Sequence, residues 1–106
     1  KLKGTIEQAG YTYLGAIGVS GLLKHARERS PIAIFLDLGK DDIDFASLVS
    51  ELRNDQLTSS IPIVAFCGHV ETDKLNAARE WGCDVVTSNS TVTASFETIL
   101  QKALDR

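Results

Sequence analysis

Pro31-Ile-Ala-Ile-Phe-Leu-Asp-Leu38 is a short, almost wholly apolar stretch with a single carboxylate near its end. It follows Ser30 and shows no alternation between polar and apolar residues. A run of this length, rich in Ile and Phe, predicts a strand that is buried on both faces, as in a parallel sheet covered by helices. Ligands of open α/β sheets bind beyond the carboxyl ends of the strands. Asp37 is therefore the first candidate for chemistry.

The residues after this strand form an acidic loop with Asp41, Asp42 and Asp44. We interpret these three as a solvated loop that ends in a helix cap at Asp44, and a cation site is the alternative. Asp37 also has two interpretations. It is either a reactive group or a structural carboxylate that accepts N–H bonds from the loop.

The rest of the sequence alternates between helical and strand patterns. Amphipathic spacing predicts helices over 1–9, from a cap at Ser20 to about 29, from Asp44 to about 52, over 72–81 and from about 93 onward. Short β-prone runs predict strands over 11–16, 31–38, 61–66 and 83–87, with polar loops at 54–60 and 88–93. Strict alternation with short connections indicates an α/β fold with a parallel sheet between helices.

Composition sets broad limits on the class of protein. The 106 residues suit one domain, and a net charge of −3 gives no basic surface for nucleic acid. Cys67 and Cys83 lack metal-ligand spacing and do not make a disulfide framework, so we expect a reducing cytoplasm. No apolar run approaches the roughly 20 residues of a membrane span.

Four segments resemble the receiver domain of bacterial two-component response regulators. Residues 31–38 look like the strand that carries the phospho-acceptor aspartate, and Asp44 matches the acidic residue at the start of the next helix. Ile61-Pro-Ile-Val-Ala-Phe66 looks like the fourth receiver strand. Ala77-Ala-Arg-Glu-Trp-Gly-Cys-Asp84 is similar to the entry into the fifth.

This resemblance implies a flavodoxin-like three-layer sandwich with a parallel sheet in the order 2-1-3-4-5. The first strand, with its Mg²⁺-binding acidic pair, is absent from this chain, and we expect the natural protein to have it, because a central parallel strand is hydrogen-bonded on both edges. Residues 1–106 would then be a single receiver-like domain without its N-terminal strand. The resemblance makes Asp37 the candidate phospho-acceptor.

Several positions depart from the receiver pattern. The switch hydroxyl falls on Cys67, and the Lys that contacts the phosphoryl group falls on Asn89. Asp37 and the carbonyl of Gly39 could supply two ligands to Mg²⁺, which prefers oxygen in near-octahedral geometry. A thiol donates poorly and Asn carries no charge, so much of the electrostatic support for phosphorylation is lost.

These departures predict a degenerate receiver that relays a signal through protein contacts, with weak or no phosphorylation at Asp37. The alternative is a functional phospho-acceptor in a phosphorelay. The expected partner is a signalling protein, with a histidine kinase as one candidate, and neither nucleic acid nor membrane is expected. We place the partner face on the helix over 72–81, the strand over 83–87 and the last helix, with Lys74, Arg79 and Trp81 as its residues; for Trp81, core packing is the alternative.

The sequence does not match the phosphatase or nucleotide-binding motifs described below, and we do not expect an enzyme. A haloacid-dehalogenase-type phosphatase needs a second Asp two residues after Asp37, where this chain has Gly39. A cysteine phosphatase needs an Arg six residues after Cys67, where it has Asp73. No dinucleotide or phosphate-binding glycine loop is present. His69 has no second His or Cys at metal spacing and is interpreted as a loop residue.

Overall fold

The computed structural model describes residues 1–105, which form three strands and six helices. In chain order these are α1 (Leu2–Gln8), α2 (Gly18–Arg29), β1 (Ile34–Asp37), α3 (Phe45–Asn54), β2 (Ile63–Cys67), α4 (Thr72–Trp81), β3 (Val85–Ser88), α5 (Asn89–Ala94) and α6 (Phe96–Leu104).

The strands form one parallel sheet in the order β1-β2-β3. Asp37 is opposite Phe66 at the end of the β1–β2 pair. Cys67 is opposite Ser88 at the end of the β2–β3 pair. The carboxyl ends of all three strands therefore meet at one edge, which confirms the predicted parallel α/β architecture.

Helices cover both faces of the sheet, because successive side chains of a strand point in opposite directions. Ile63 and Ala65 of β2 pack on the side of α2, α3 and α4. Val64 and Phe66 pack on the opposite side, with α5, α6 and the partly buried Leu2 of α1. Every residue of β2 is buried, and the three-layer sandwich is confirmed.

The predicted strand over residues 11–16 is wrong, because this segment has no regular secondary structure. A strand needs a neighbour for its backbone groups, and within residues 1–105 β1 pairs only with β2. The side of β1 toward residues 11–16 is a groove. The β-prone side chains of Tyr11 and Tyr13 are partly exposed.

Two helix boundaries also differ from the sequence prediction. Residues 88–93 are not a loop, since α5 begins at Asn89 and the Ser88 hydroxyl accepts from the Thr91 N–H at 3.2 Å. Helix α2 begins at Gly18, two residues before the predicted cap at Ser20. Ser and Thr after a strand are common both in loops and as helix caps, so composition alone does not predict whether a helix begins there.

The caps of α3 and α4 are as predicted. The Asp44 carboxylate accepts from the N–H of Ser47 at 3.1 Å and from its hydroxyl at 2.8 Å. Gly82 ends α4 at φ +92°, a left-handed conformation that glycine adopts without a Cβ penalty. These two caps fix where each helix meets the sheet.

Arg53, at the end of α3, joins three elements through one guanidinium. It donates to the carbonyls of Ser59 and Ile61 in the loop before β2, and to the Asp84 carboxylate at 2.8 Å. The same Asp84 oxygen accepts from the N–H of Ile63 at 2.8 Å. Both side chains are mostly shielded from solvent, with 23% and 12% exposed.

We predict that Arg53→Met lowers the free energy of unfolding by about 2 to 4 kcal/mol, because the substitution leaves the Asp84 carboxylate and the carbonyls of Ser59, Ile61 and Gly82 without their cationic donor. Urea denaturation followed by circular dichroism measures the change. The control is Arg27→Met, which removes the more exposed pair with Asp55 and should lower the free energy of unfolding much less, because solvent weakens this pair. Equal losses for the two variants would contradict the prediction.

Candidate functional site at the carboxyl end of the sheet

Asp37 lies at the last position of β1 and is exposed. Its Oδ1 accepts from the N–H of Gly39 at 3.0 Å, which closes a tight turn. The structural interpretation of Asp37, a carboxylate that accepts a loop N–H, is therefore part of the observed geometry. This contact uses one of the lone pairs and leaves the carboxylate open to solvent.

Lys74 joins α4 to the loop after β1. Its ammonium lies 2.9 Å from Glu71 Oε1 and 3.1 Å from Asp41 Oδ1. These two carboxylates raise the pKa of Lys74, with Glu71 as the larger cause. The Asp41 side chain is 89% exposed, so its share of the interaction is weakened by solvent.

Glu71 also accepts a hydrogen bond from the first backbone amide after β2. Its Oε2 accepts from the N–H of Gly68 at 3.0 Å. The bond from Lys74 holds the pKa of the Glu71 carboxyl below its usual range, and the Gly68 N–H adds to this effect. One connected network thus runs from the loop after β1 to the loop after β2, and we call it the charged clasp. Its residues are Asp41, Lys74, Glu71 and Gly68.

The Cys67 thiol is fully buried beneath this clasp. Its Sγ lies 3.9 Å from the carbonyl of Glu71. Burial raises the pKa of the Cys67 thiol, and the Glu71 carboxylate raises it further. Cys83 behaves similarly, since burial raises its pKa to about 11. These environments favour a structural thiol, because a thiolate is the nucleophilic form.

Asn89 is the first residue of α5 and is exposed. It follows Ser88, which is opposite Cys67 in the sheet register. The two positions that the resemblance assigned to the switch and to the phosphoryl contact thus lie at the same edge as Asp37. Neither carries a charge there. His69, in the loop between β2 and α4, is exposed and belongs to no group of metal-ligating side chains among the described residues.

The described residues do not make a complete Mg²⁺ site. Asp37 and the Gly39 carbonyl are oxygen donors, but residues 1–105 contain no group of three His, Cys, Asp or Glu side chains that could hold a metal ion. Asp44, which the resemblance matched to the acidic residue at the start of the next helix, uses both oxygens to cap α3, and its bonds from Ser47 lower its pKa. The assignment of Asp37 and Gly39 as ligands stays a prediction.

The three predicted partner-face residues do not share one face of α4. Lys74 and Trp81 are seven residues apart, close to two full helical turns, and so point in nearly the same direction. Trp81 packs against the buried core, and Lys74 belongs to the charged clasp. Arg79 is rotated away from both, exposed, and donates to Asn76 at 3.0 Å. Arg79 is the one of the three that faces solvent.

Sequence reasoning missed Glu71 and interpreted Asp41 only as part of a solvated loop. One signal was available for Glu71, since Glu and Lys three residues apart on a helix start form ion pairs. The contact between Lys74 and Asp41 joins residues 33 positions apart, and no local pattern predicts it.

Similar solved structures share this architecture over nearly the whole chain. A protein of Chloroflexus aurantiacus J-10-fl, whose name places it among response regulators, matches with a TM-score of 0.87 at 21% identity, covering 99% of this chain and 86% of its own. The receiver domain of NtrX from Brucella abortus matches with a TM-score of 0.82 at 19% identity, covering 98% and 87%. The chain has the receiver-domain fold.

Another similar solved structure is the receiver domain of a sensor histidine kinase from Pseudomonas aeruginosa PAO1, with a magnesium ion coordinated in its active-site cleft. It matches with a TM-score of 0.84 at 17% identity, covering 99% of this chain and 86% of its own. No family model matches the sequence, and no curated protein matches it. Within residues 1–105, no helix has the length and apolar character needed to cross a membrane.

We predict that the Cys67 thiol of the folded chain reacts slowly with iodoacetamide. Its raised pKa keeps the thiol protonated at pH values where an ordinary cysteine begins to ionise, and burial blocks the reagent. A Cys83→Ala variant leaves Cys67 as the single thiol, and intact mass follows its alkylation from pH 7 to 9. The same variant unfolded in urea should react at the ordinary rate. Equal rates in the folded and unfolded states would show a reactive thiol.

Proposed function

We propose that the chain is a receiver-like signalling module that relays a signal through protein–protein contacts, with weak or no phosphorylation at Asp37. The observation that carries the proposal is that the polar groups of the charged clasp, at the same edge of the sheet as Asp37, are already bound to one another. The Lys74 ammonium is bound to two carboxylates, and the Gly68 amide is bound to a third oxygen.

An aspartyl-phosphate needs positive charge and hydrogen-bond donors at the incoming group. In this receiver fold the position that would supply a cation from the end of β3 is Asn89, which is neutral. The thiol of Cys67 is buried and is a weak donor. A phosphoryl group on Asp37 would also lie near the acidic side chains of its own loop, so the described residues offer it little net stabilisation.

The alternative is a functional phospho-acceptor in a two-component phosphorelay. The exposure of Asp37 favours it, and so does its place at the carboxyl end of a parallel strand. The magnesium ion in the Pseudomonas receiver is compatible with Mg²⁺ near Asp37. An acidic pair upstream of Lys1 would supply the carboxylates that residues 1–105 lack, and bound Mg²⁺ would then neutralise the incoming phosphoryl group.

The decisive measurement is phosphoryl transfer to the protein with its natural amino terminus. After incubation with Mg²⁺ and acetyl phosphate, we predict that intact mass shows little or no phosphoryl adduct. One phosphoryl group would add about 80 Da. Asp37→Asn is the matched control. An adduct on the wild type that is absent from the control would establish the alternative and make Cys67 and Asn89 tuning residues.

The proposed partner is another signalling protein, and a histidine kinase is one candidate. The proposed partner face consists of helix α4, strand β3 and helix α6. Arg79 offers an exposed charge on this face, with one bond to Asn76. Lys74 is a poorer probe, because reversing its charge would also break the charged clasp.

We predict that Arg79→Glu weakens the recovery of the partner without a loss of folding, because charge reversal on an interface penalises docking and leaves the core intact. Affinity purification from the source cells identifies the partner by mass spectrometry, and the recovery of that protein is compared between variants. Lys24→Glu, on the exposed side of α2, is the control. Unchanged recovery with Arg79→Glu would move the partner to another surface.

A further inference from the structure

Glu71 contacts both of the groups in the charged clasp that attract an anion. Its Oε1 lies 2.9 Å from the Lys74 ammonium, and its Oε2 accepts from the Gly68 N–H at 3.0 Å. The two oxygens of one carboxylate thus bind a cation and a backbone amide at once. Cations and backbone N–H groups are also the donors with which proteins bind small oxyanions. The clasp therefore contains an anion site, and the anion in it is a side chain of the same chain.

The glycine at position 68 allows the carboxylate to come this close to the backbone. A Cβ on residue 68 would lie 3.1 Å from Glu71 Oε2, nearer than side-chain atoms ordinarily pack. The N–H of Glu71 in turn donates to the Gly68 carbonyl at 3.0 Å. Two hydrogen bonds therefore close the turn from residue 68 to residue 71, and only one of them uses the carboxylate. The backbone bond remains available to the turn when the carboxylate is removed.

The anion site of the clasp lies beside the loop that follows Asp37. Asp41, four residues after Asp37, is the second carboxylate on the Lys74 ammonium, at 3.1 Å. In the sheet, Asp37 is opposite Phe66, which precedes Gly68 by two residues. An oxyanion that replaced the inhibiting carboxylate would therefore lie at the same edge of the sheet as Asp37.

We propose that Glu71 is an autoinhibitory residue, whose carboxylate occupies a site for a phosphate-type oxyanion made by the Gly68 N–H and the Lys74 ammonium. The inference rests on the proposed function and deepens it, since it names the group that keeps such a ligand from this edge. The ligand is free phosphate or a phosphoryl group held by Asp37, because both present the same oxygens. Either one has to displace Glu71, because two anions at one ammonium repel each other.

The tethered carboxylate has an advantage over a free anion. Gly68 and Lys74 each lie three positions from Glu71, so the effective concentration of the carboxylate at the site is on the order of millimolar or more. A free oxyanion at a lower concentration is therefore excluded. The site is nevertheless open to solvent, because the Lys74 and Glu71 side chains are 33% and 37% exposed. An oxyanion can thus enter once the carboxylate is gone.

Asp41 is the weaker candidate for the inhibitory group. Its side chain is 89% exposed, so solvent screens its contact with Lys74. Of the two carboxylates, Glu71 is also the larger cause of the raised pKa of Lys74. Asp41→Asn therefore supplies a matched control, because it removes one negative charge from Lys74 and leaves the Gly68 amide bound to Glu71.

Titration with inorganic phosphate tests the proposal, with the NMR signal of the Gly68 amide as the readout in the protein with its natural amino terminus. We expect Glu71→Ala to bind phosphate at least about tenfold more tightly than the wild type, because the tethered competitor is gone. Asp41→Asn should stay within about twofold of the wild type. Adding Lys74→Met to Glu71→Ala should abolish the gain, because the site then lacks its cation.

Glu71→Gln keeps the proposal testable if Glu71→Ala does not fold. Gln retains an oxygen that accepts from the Gly68 N–H, as Glu or Gln does at the start of many helices, but it carries no charge. We expect Glu71→Gln to bind phosphate more tightly than the wild type, by less than Glu71→Ala, because the neutral side chain is the weaker competitor.

Three results of the titration would overturn the proposal. The first is equal phosphate affinity in the wild type and both Glu71 variants. The second is a gain that survives Lys74→Met, which would place the anion elsewhere. The third is an equal gain in Asp41→Asn, which would show that the loss of any nearby negative charge is sufficient.

A phosphodonor distinguishes the two sources of the oxyanion. After Glu71→Ala is incubated with Mg²⁺ and acetyl phosphate, a phosphoryl adduct that Asp37→Asn removes would identify a phosphoryl group on Asp37 as the ligand. Phosphate binding without an adduct would identify free phosphate, and either source supports the inhibitory role of Glu71. The proposed function fails separately, by an adduct on the wild type, which the phosphate titration does not measure.

Discussion

The pairing of Arg53 with Asp84 is the interaction on which the arrangement of the sheet most depends. One guanidinium at the end of α3 meets the loop before β2 and the carboxylate before β3, and that carboxylate also receives the first amide of β2. The two strands that define the site therefore start from one fixed point. At the carboxyl ends of these two strands, Cys67 and Ser88 lie opposite each other. Asp37 lies opposite Phe66, one residue before Cys67.

At the carboxyl ends, the chain satisfies its polar groups internally. The Gly39 amide goes to Asp37, the Gly68 amide goes to Glu71, and Lys74 is held between two carboxylates. An anion that arrived at Asp37 would have to compete with these contacts. The charged clasp is therefore the structural basis of our proposal that Asp37 is weakly phosphorylated or not phosphorylated.

The sequence predicted the parts of the fold that depend on local pattern. Buried runs located β1 and β2, and helical spacing with clear end signals located α3 and α4, down to the caps at Asp44 and Gly82. It failed at residues 11–16, where β-propensity was high but a strand requires a neighbour. For the site, strand-end position placed Asp37, Cys67 and Asn89 together. The Lys74–Asp41 contact joins distant residues, and only the folded chain reveals it.

Strand β3 forms the opposite edge of the described sheet, and only one of its sides is paired. An exposed strand edge can recruit strands from other molecules and lead to aggregation. This strand is only four residues long, ends in Thr87 and Ser88, and turns directly into α5. So short an edge offers few backbone groups to an incoming strand, and the Ser88 cap directs the chain away from further extension. The brevity of this edge thus leaves few unpaired backbone groups for pairing with another chain.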